Sequence, residues 1–121
     1  MIDFRKILEL RKNNQGITVA NGMVVPVYLF HGTSTVRVKD IEKCGLLYSF
    51  FSGSYKVAKG WANIRSSEEG GKPVIYYLDM RDNLDLEFER VPFTNNLKSE
   101  DKINLPKLIK IGKLEGFLLN L

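Results

Sequence analysis

Asn21-Gly22 separates two runs of β-forming residues, Ile17-Thr18-Val19-Ala20 and Met23-Val24-Val25-Pro26-Val27-Tyr28-Leu29-Phe30. A two-residue Asn-Gly loop favours a type I′ turn, in which both central residues take positive φ, and that turn fits the twist of two antiparallel strands. The chain is therefore expected to form a β-hairpin early on. Pro26 lacks an N–H, which makes its neighbourhood an edge or a bulge. Val27 to Phe30 is continuously apolar and reads as a central strand that delivers His31-Gly32-Thr33-Ser34 at its end.

Apolar spacing and turn residues divide the rest of the chain. Residues 3–12 put Phe4, Ile7, Leu8 and Leu10 on roughly one helical face, with Asp3 as N-cap. Residues 36–44 read as a short helix closed by Gly45, and residues 46–51 as an aromatic strand. Ser52-Gly53-Ser54 is a turn that supplies an N-cap. Residues 55–66 then carry Val57, Ala58, Trp61 and Ile64 at helical spacing. Residues 67–73 form a charged loop, and its Gly70-Gly71 lacks phosphate-loop context and reads as flexible. Residues 74–78 are a buried strand and residues 84–91 a half-exposed one. Residues 92–101 are a polar loop, and 102–105 and 108–119 are two final strands. A leading helix and hairpin, two strand–helix units and a strand-rich end predict an α+β domain. At 121 residues this is one domain's worth of chain, with residues 1–26 extending a core formed by 27–121.

Several classes are set aside by counting. With 44% hydrophobic and 26% charged residues the chain is of ordinary globular composition, not disordered or collagenous. The longest apolar run, Met23 to Phe30, falls far short of the ~18 residues of a membrane span. The N-terminal MIDFRKILELRKNN has no apolar signal-peptide core, so a reducing, cytoplasmic setting without membrane contact is expected. One cysteine, Cys44, and one histidine, His31, supply neither an internal disulfide nor a multi-His metal site. Cys44 reads as a small buried hydrophobe. The net charge of +4 is lopsided: residues 1–60 hold nine Lys/Arg against four Asp/Glu, and residues 61–121 nine against ten. The basic half suits an acidic partner such as nucleic acid or a ribonucleoprotein, or serves solubility alone.

Chemistry concentrates in residues 28–62. His31-Gly32-Thr33-Ser34 places a donor and acceptor beside a glycine that admits a ligand to the backbone. Thr33 and Ser34 also suit capping of the helix that follows. Phe50-Phe51-Ser52 leads into the Trp61 helix, and aromatic faces beside a polar strand end suit a flat heteroaromatic ligand. Phe50 and Phe51 alternate, so one faces a cleft and the other, Phe51, the core.

The order His31-Gly32-Thr33, Gly45-Leu46, Phe50-Phe51-Ser52 and Ala58-Lys59-Gly60-Trp61-Ala62 resembles the histidine-bearing branch of the ADP-ribosyltransferase family. The likeness covers about residues 27–80 and runs more loosely to the end. It implies two packed antiparallel or mixed sheets forming an NAD⁺ cleft, flanked by short helices. It further implies that His31 bonds a ribose hydroxyl, that the Gly32 main chain holds the nicotinamide amide, and that Thr33 or Ser34 supports that turn. Phe50 stands where the family often has Tyr, followed by Ser52, and Trp61 matches the aromatic that stacks on nicotinamide.

Cleaving the nicotinamide–ribose bond builds positive charge on the ribosyl carbon, which a carboxylate stabilises. Many bacterial members of the family carry that group in an E-x-E-(apolar)₃-P segment. Here Ser99-Glu100-Asp101-Lys102-Ile103-Asn104-Leu105-Pro106 is the nearest match, with Lys102 in place of the second Glu. Glu100 is the first candidate beside His31 for catalysis, Asp101 the second, and Glu115, Glu87 and Glu89 are alternates. The resemblance implies mono-ADP-ribosylation of a macromolecular acceptor, a host protein or ribonucleoprotein, by a small phage or mobile-element effector acting against host defence. Two rivals stand beside it: an RNA 2′-phosphotransferase, for which Arg37, Lys39 and Lys56 are the nearby cations, and a non-catalytic partner-binding protein on the same fold.

Overall fold

The computed structural model describes residues 16–46, 48–100 and 103, and the backbone of residues 109–110. The expected helix over 3–12 and most of the two final strands lie outside the described residues. Strands β1 (Ile17–Ala20) and β2 (Met23–Pro26) form the hairpin, with Val19 opposite Val24. Asn21 and Gly22 have φ of 50° and 80°, the paired positive values a type I′ turn requires. Ala20 and Val25 are buried in the main core, so the hairpin is part of the domain's packing and not an appendage.

Strand β3 (Tyr28–Ser34) is longer than the sequence suggests, and His31-Gly32-Thr33-Ser34 lies within it. A 3₁₀ turn (Thr35–Arg37) and helix α1 (Val38–Cys44) follow, closed by Gly45, whose N–H bonds the Ile41 carbonyl at 2.8 Å. Residues 46–51 do not form the expected continuous strand. Leu46 bridges only to Ile103, Tyr48 takes a left-handed φ of 50°, and β4 is reduced to Phe50–Phe51. Helix α2 (Tyr55–Glu69) begins at Ser54, whose Oγ accepts from Val57 N–H at 3.3 Å. Strand β5 (Pro73–Asp79) runs antiparallel to β3.

A second 3₁₀ turn (Met80–Asp82) delays the next strand, so β6 is Phe88–Arg90 alone. Strand β7 (Leu97–Ser99) occupies part of the expected polar loop, because Leu97 and Ser99 are buried while Lys98 faces out. Strand β8 (Ile109–Lys110) pairs with β5. The sheets are therefore β3-β5-β8 and β4-β7-β6, every described pair being antiparallel. A bridge between Phe30 and Ser52 joins them. No helix among the described residues is long and apolar enough to cross a membrane.

Two apolar layers follow from the strand alternation. Leu29, Phe51, Val74, Tyr76 and Leu78 pack on one side of the sheet, and Tyr28, Phe30, Ile75 and Tyr77 lie under α2 on the other. The buried side of α2 is Tyr55, Ala58 and Ala62; Val57 and Ile64, expected in that stripe, face outward. The small residues let helix and strand touch backbone to backbone. A Cβ on Gly32 would sit 1.9 Å from the Ala58 carbonyl oxygen and 2.8 Å from the Ala62 nitrogen. Gly32 is thus required by the helix as well as by any ligand.

Gly70-Gly71 is a fixed turn and not the flexible loop the sequence suggests. Ser34 Oγ donates to the Gly70 carbonyl at 2.5 Å, and Lys72 N–H donates to Thr35 Oγ1 at 2.9 Å. Gly71 has φ of 78°, and a Cβ there would meet Thr35 Oγ1 at 2.5 Å. Gly32→Ala must push α2 off the sheet, and overpacking of this kind costs about 1–3 kcal/mol or more. Urea denaturation should show a lowered midpoint and a loss of unfolding free energy of about that size, whereas Gly60→Ala, whose Cβ meets nothing within 4 Å, should hold or raise stability.

Candidate functional site

The site originates where two strands part. Phe30 N–H donates to the Ser52 carbonyl at 2.7 Å, and Ser52 N–H donates back at 2.9 Å. Backbone groups in an antiparallel strand alternate in direction, so those of Gly32 and Ser34 face the same edge as those of Phe30. Pro73 opposite Ser34 agrees with this, since β5 donates no N–H there. The next pair in register would be Gly32 with Phe50. That pair does not form. The Phe50 carbonyl instead accepts the His31 Nδ1–H at 2.8 Å. Strand β4 peels away, and the N–H and C=O of Gly32 are directed toward the gap.

Two adjoining cavities open there and share His31, Phe50 and Arg65. One, of about 450 Å³, is lined by Gly32, Trp61, Ile64, Glu68, Val91 and Asn96 as well. The other, of about 350 Å³, is lined by Thr33, Arg37, Asp40, Cys44 and Tyr48 among others. Both lie in the range of small-molecule sites, ~300–1,000 Å³. Phe50 is 48% exposed, whereas Phe51 is fully buried, the assignment expected of the alternating pair. Trp61 is half-buried and belongs to neither core layer, so its ring serves the cavity wall.

His31 is held on two sides. Its ring packs on Phe51 with centroids 5.5 Å apart, and the Phe50 carbonyl fixes Nδ1 as the protonated nitrogen, because a carbonyl only accepts. Nε2 is therefore the acceptor of the neutral ring. Burial lowers the imidazole's pKa from its ordinary 6.5. The Phe50 carbonyl opposes that shift, and the positive charges of Arg65 and Arg37 add to it.

The two arginines converge on Glu69. Arg37 grips it with both Nε (2.8 Å) and Nη2, and Arg65 Nη1 reaches the same carboxylate at 3.3 Å. The Arg37 hydrogen bond holds the Glu69 carboxyl below its usual range. One carboxylate thus fixes two guanidinium groups from different elements at the cleft. Among the described residues no three His, Cys, Asp or Glu side chains gather as a metal site would require.

Of the residues singled out by sequence, His31, Gly32, Phe50 and Trp61 come together, and Thr33 lines the adjoining lobe. Ser34 is buried and committed to Gly70 and Val36, and Ser52 is buried with Oγ accepting from Ser54 N–H; neither lines these lobes. Glu100 and Glu87 line a separate cavity of about 190 Å³ beside the hairpin, with Ala20, Met23 and Phe88. Glu89 is exposed and lines neither lobe. Asp101 and Glu115 lie outside the described residues. Cys44, expected to be buried, is exposed at the end of α1. Sequence reasoning missed Arg65 and Glu68, which follow Trp61 at the i+4 and i+7 spacing of one helical stripe.

A lowered His31 pKa has a definite sign for stability. As pH falls through 6.5 the unfolded chain takes up the proton first, so stability drops until the lower folded-state value is passed, then levels off. Imidazole NMR titration should place the midpoint below 6.5, and His31→Gln should remove the drop in stability over that window. No protein-family model and no curated protein matches the chain, so the chemistry of the cleft rests on its own geometry.

Proposed function

We propose that the cleft binds NAD⁺ and that the chain is a mono-ADP-ribosyltransferase acting on a macromolecular acceptor. The observation that carries this reading is the missing Gly32–Phe50 ladder pair. It leaves a backbone N–H and C=O side by side, the complement of a carboxamide, in a lobe that Phe50 and Trp61 also line. A nicotinamide fits that slot by stacking and by its amide. His31 Nε2, fixed as an acceptor, takes a ribose hydroxyl. Arg37 and Arg65 line the adjoining lobe, where guanidinium groups suit a pyrophosphate. The fit supports a substrate of two linked parts, one flat and aromatic, the other anionic.

When NAD⁺ is bound, loss of nicotinamide leaves an electrophilic ribosyl carbon. His31 then keeps the ribose oriented while remaining uncharged, so it adds no repulsion to the positive charge developing nearby. Phe50 and Trp61 hold the leaving ring, and the buried Phe51 and Thr33 keep His31 and its strand in place. The position of Glu100 outside the cleft favours a second reading, non-catalytic ligand or partner binding through the same lobes.

Incubation with NAD⁺ labelled in the adenylate half, alone and with a cell lysate, separates the readings. Released nicotinamide and a labelled acceptor are expected; binding without release is the signature of the second reading. His31→Ala should lower turnover by ~10-fold or more, from loss of a hydrogen bond worth ~1–3 kcal/mol. Trp61→Phe should bind NAD⁺ more tightly than Trp61→Ala, because stacking needs only a ring. Equal affinity of the two Trp61 variants would remove Trp61 from the site.

A further inference from the structure

We propose that Glu68 is the catalytic carboxylate of this cleft, a role that rests on the NAD⁺ reading above. The site needs a negative group beside the ribosyl carbon, and the segment from which one was expected turns its Glu100 toward the hairpin. Among the described residues, Glu68 is the one carboxylate lining the lobe that also holds Gly32, His31, Phe50 and Trp61. Asp40 lines the other lobe, and Glu69 is occupied by Arg37 and Arg65.

Helix geometry supports the placement. Glu68 follows Trp61 by seven residues, which returns it to the same stripe of α2 about 10 Å along the axis. Helical side chains lean toward the N-terminus, so the Glu68 carboxylate is inclined back toward Trp61. A ring stacked at Trp61 and Phe50 with its ribose directed along α2 would bring the ribosyl carbon toward Glu68 in the lobe that His31 also lines. Arg65 lies one turn earlier and is tied to Glu69, which keeps it from neutralising Glu68 directly.

The step balances with water or an acceptor hydroxyl as nucleophile. The bond between the ribosyl carbon and the nicotinamide nitrogen breaks, and its electron pair returns to that nitrogen, discharging the pyridinium. The nucleophile's oxygen forms the new bond to the ribosyl carbon. Its proton passes to the Glu68 carboxylate and on to solvent. Glu68 carries its charge through the transition state and takes up the proton as the bond forms.

The test measures nicotinamide release by the full chain at saturating and limiting NAD⁺. Glu68→Gln should lower kcat by ~10²-fold or more with KM changed little, because the charge acts mainly in the transition state. Glu68→Asp should recover part of the loss. Glu68 is exposed, so both variants should keep the wild-type melting temperature. Wild-type turnover in Glu68→Gln overturns the assignment while the NAD⁺ reading stands. So does a ~10²-fold loss in Asp40→Asn or Glu100→Gln with Glu68→Gln unaffected. A wild-type chain that binds NAD⁺ but releases no nicotinamide overturns the catalytic role and moves the cleft to the binding reading. One that neither binds nor cleaves NAD⁺ overturns both.

Discussion

The hydrogen bond from His31 Nδ1 to the Phe50 carbonyl is what turns a continuous sheet into a cleft. A strand-edge carbonyl takes a donor wherever one is in reach, a net gain of about 0.5–1.5 kcal/mol. The ordinary remedy is the next ladder bond, here from the Gly32 N–H. The imidazole supplies that donor instead, at 2.8 Å, and lets β4 leave the sheet after a single pair with β3. Three consequences follow from one contact: Gly32 keeps a backbone donor and acceptor directed into the gap, Phe50 is swung half out of the core, and Nε2 is fixed as an acceptor. A residue able to donate at one end and accept at the other is needed, which among side chains of this shape means a neutral histidine.

The opposite face of β3 explains why the strand stays straight while its neighbour departs. Helix α2 lies against it with Ala58 and Ala62 at Gly32, so backbone meets backbone without intervening side chains. Rigid contact on that side confines the opening to the other. At the C-terminal end of α2, Ser34 and Gly70 lock helix and strand together, and Arg37 clasps Glu69. The stripe of α2 bearing Trp61, Arg65 and Glu68 is thereby held at a set distance from His31. The site is built on a helix and a strand, which position groups more finely than loops do.

Much of this frame was legible in the sequence, and the reasons are local. Asn21-Gly22, the apolar run into β3, Ser54 as N-cap and Gly45 as helix stop each act through their immediate neighbours. Alternation requires only that Phe50 and Phe51 face opposite ways, and the buried one is Phe51. The failures are non-local. Leu46 pairs with Ile103 and Phe50–Phe51 with β7, while Tyr48 between them takes a left-handed φ, so strand-forming side chains at 46–51 do not make one strand. Residue type suggests a buried Cys44, yet α1 buries only Ile41. Motif position points to Glu100, but Glu100 N–H bonds the Glu87 carbonyl at 3.0 Å, which carries it to the hairpin side. Leu97 and Ser99 looked like loop residues because a three-residue strand is too short for alternation to register.

Charge completes the logic of the cleft. Two guanidinium groups near His31 depress its pKa, reinforcing what burial begins, and so favour the neutral ring with Nε2 as an acceptor. A protonated ring would still donate to Phe50 but would lose the acceptor at Nε2. Glu69 restrains the arginines without cancelling them: one carboxylate serves two cations, and each retains N–H groups beyond those spent on Glu69. Arg37 and Arg65 give one lobe N–H donors beside Asp40, whereas the other lobe, which Arg65 also lines, carries Glu68 beside Trp61 and Phe50. On the NAD⁺ reading proposed above, a ligand reaching both lobes joins a cationic aromatic ring to a phosphate through a hydroxylated linker that would pass the neutral imidazole.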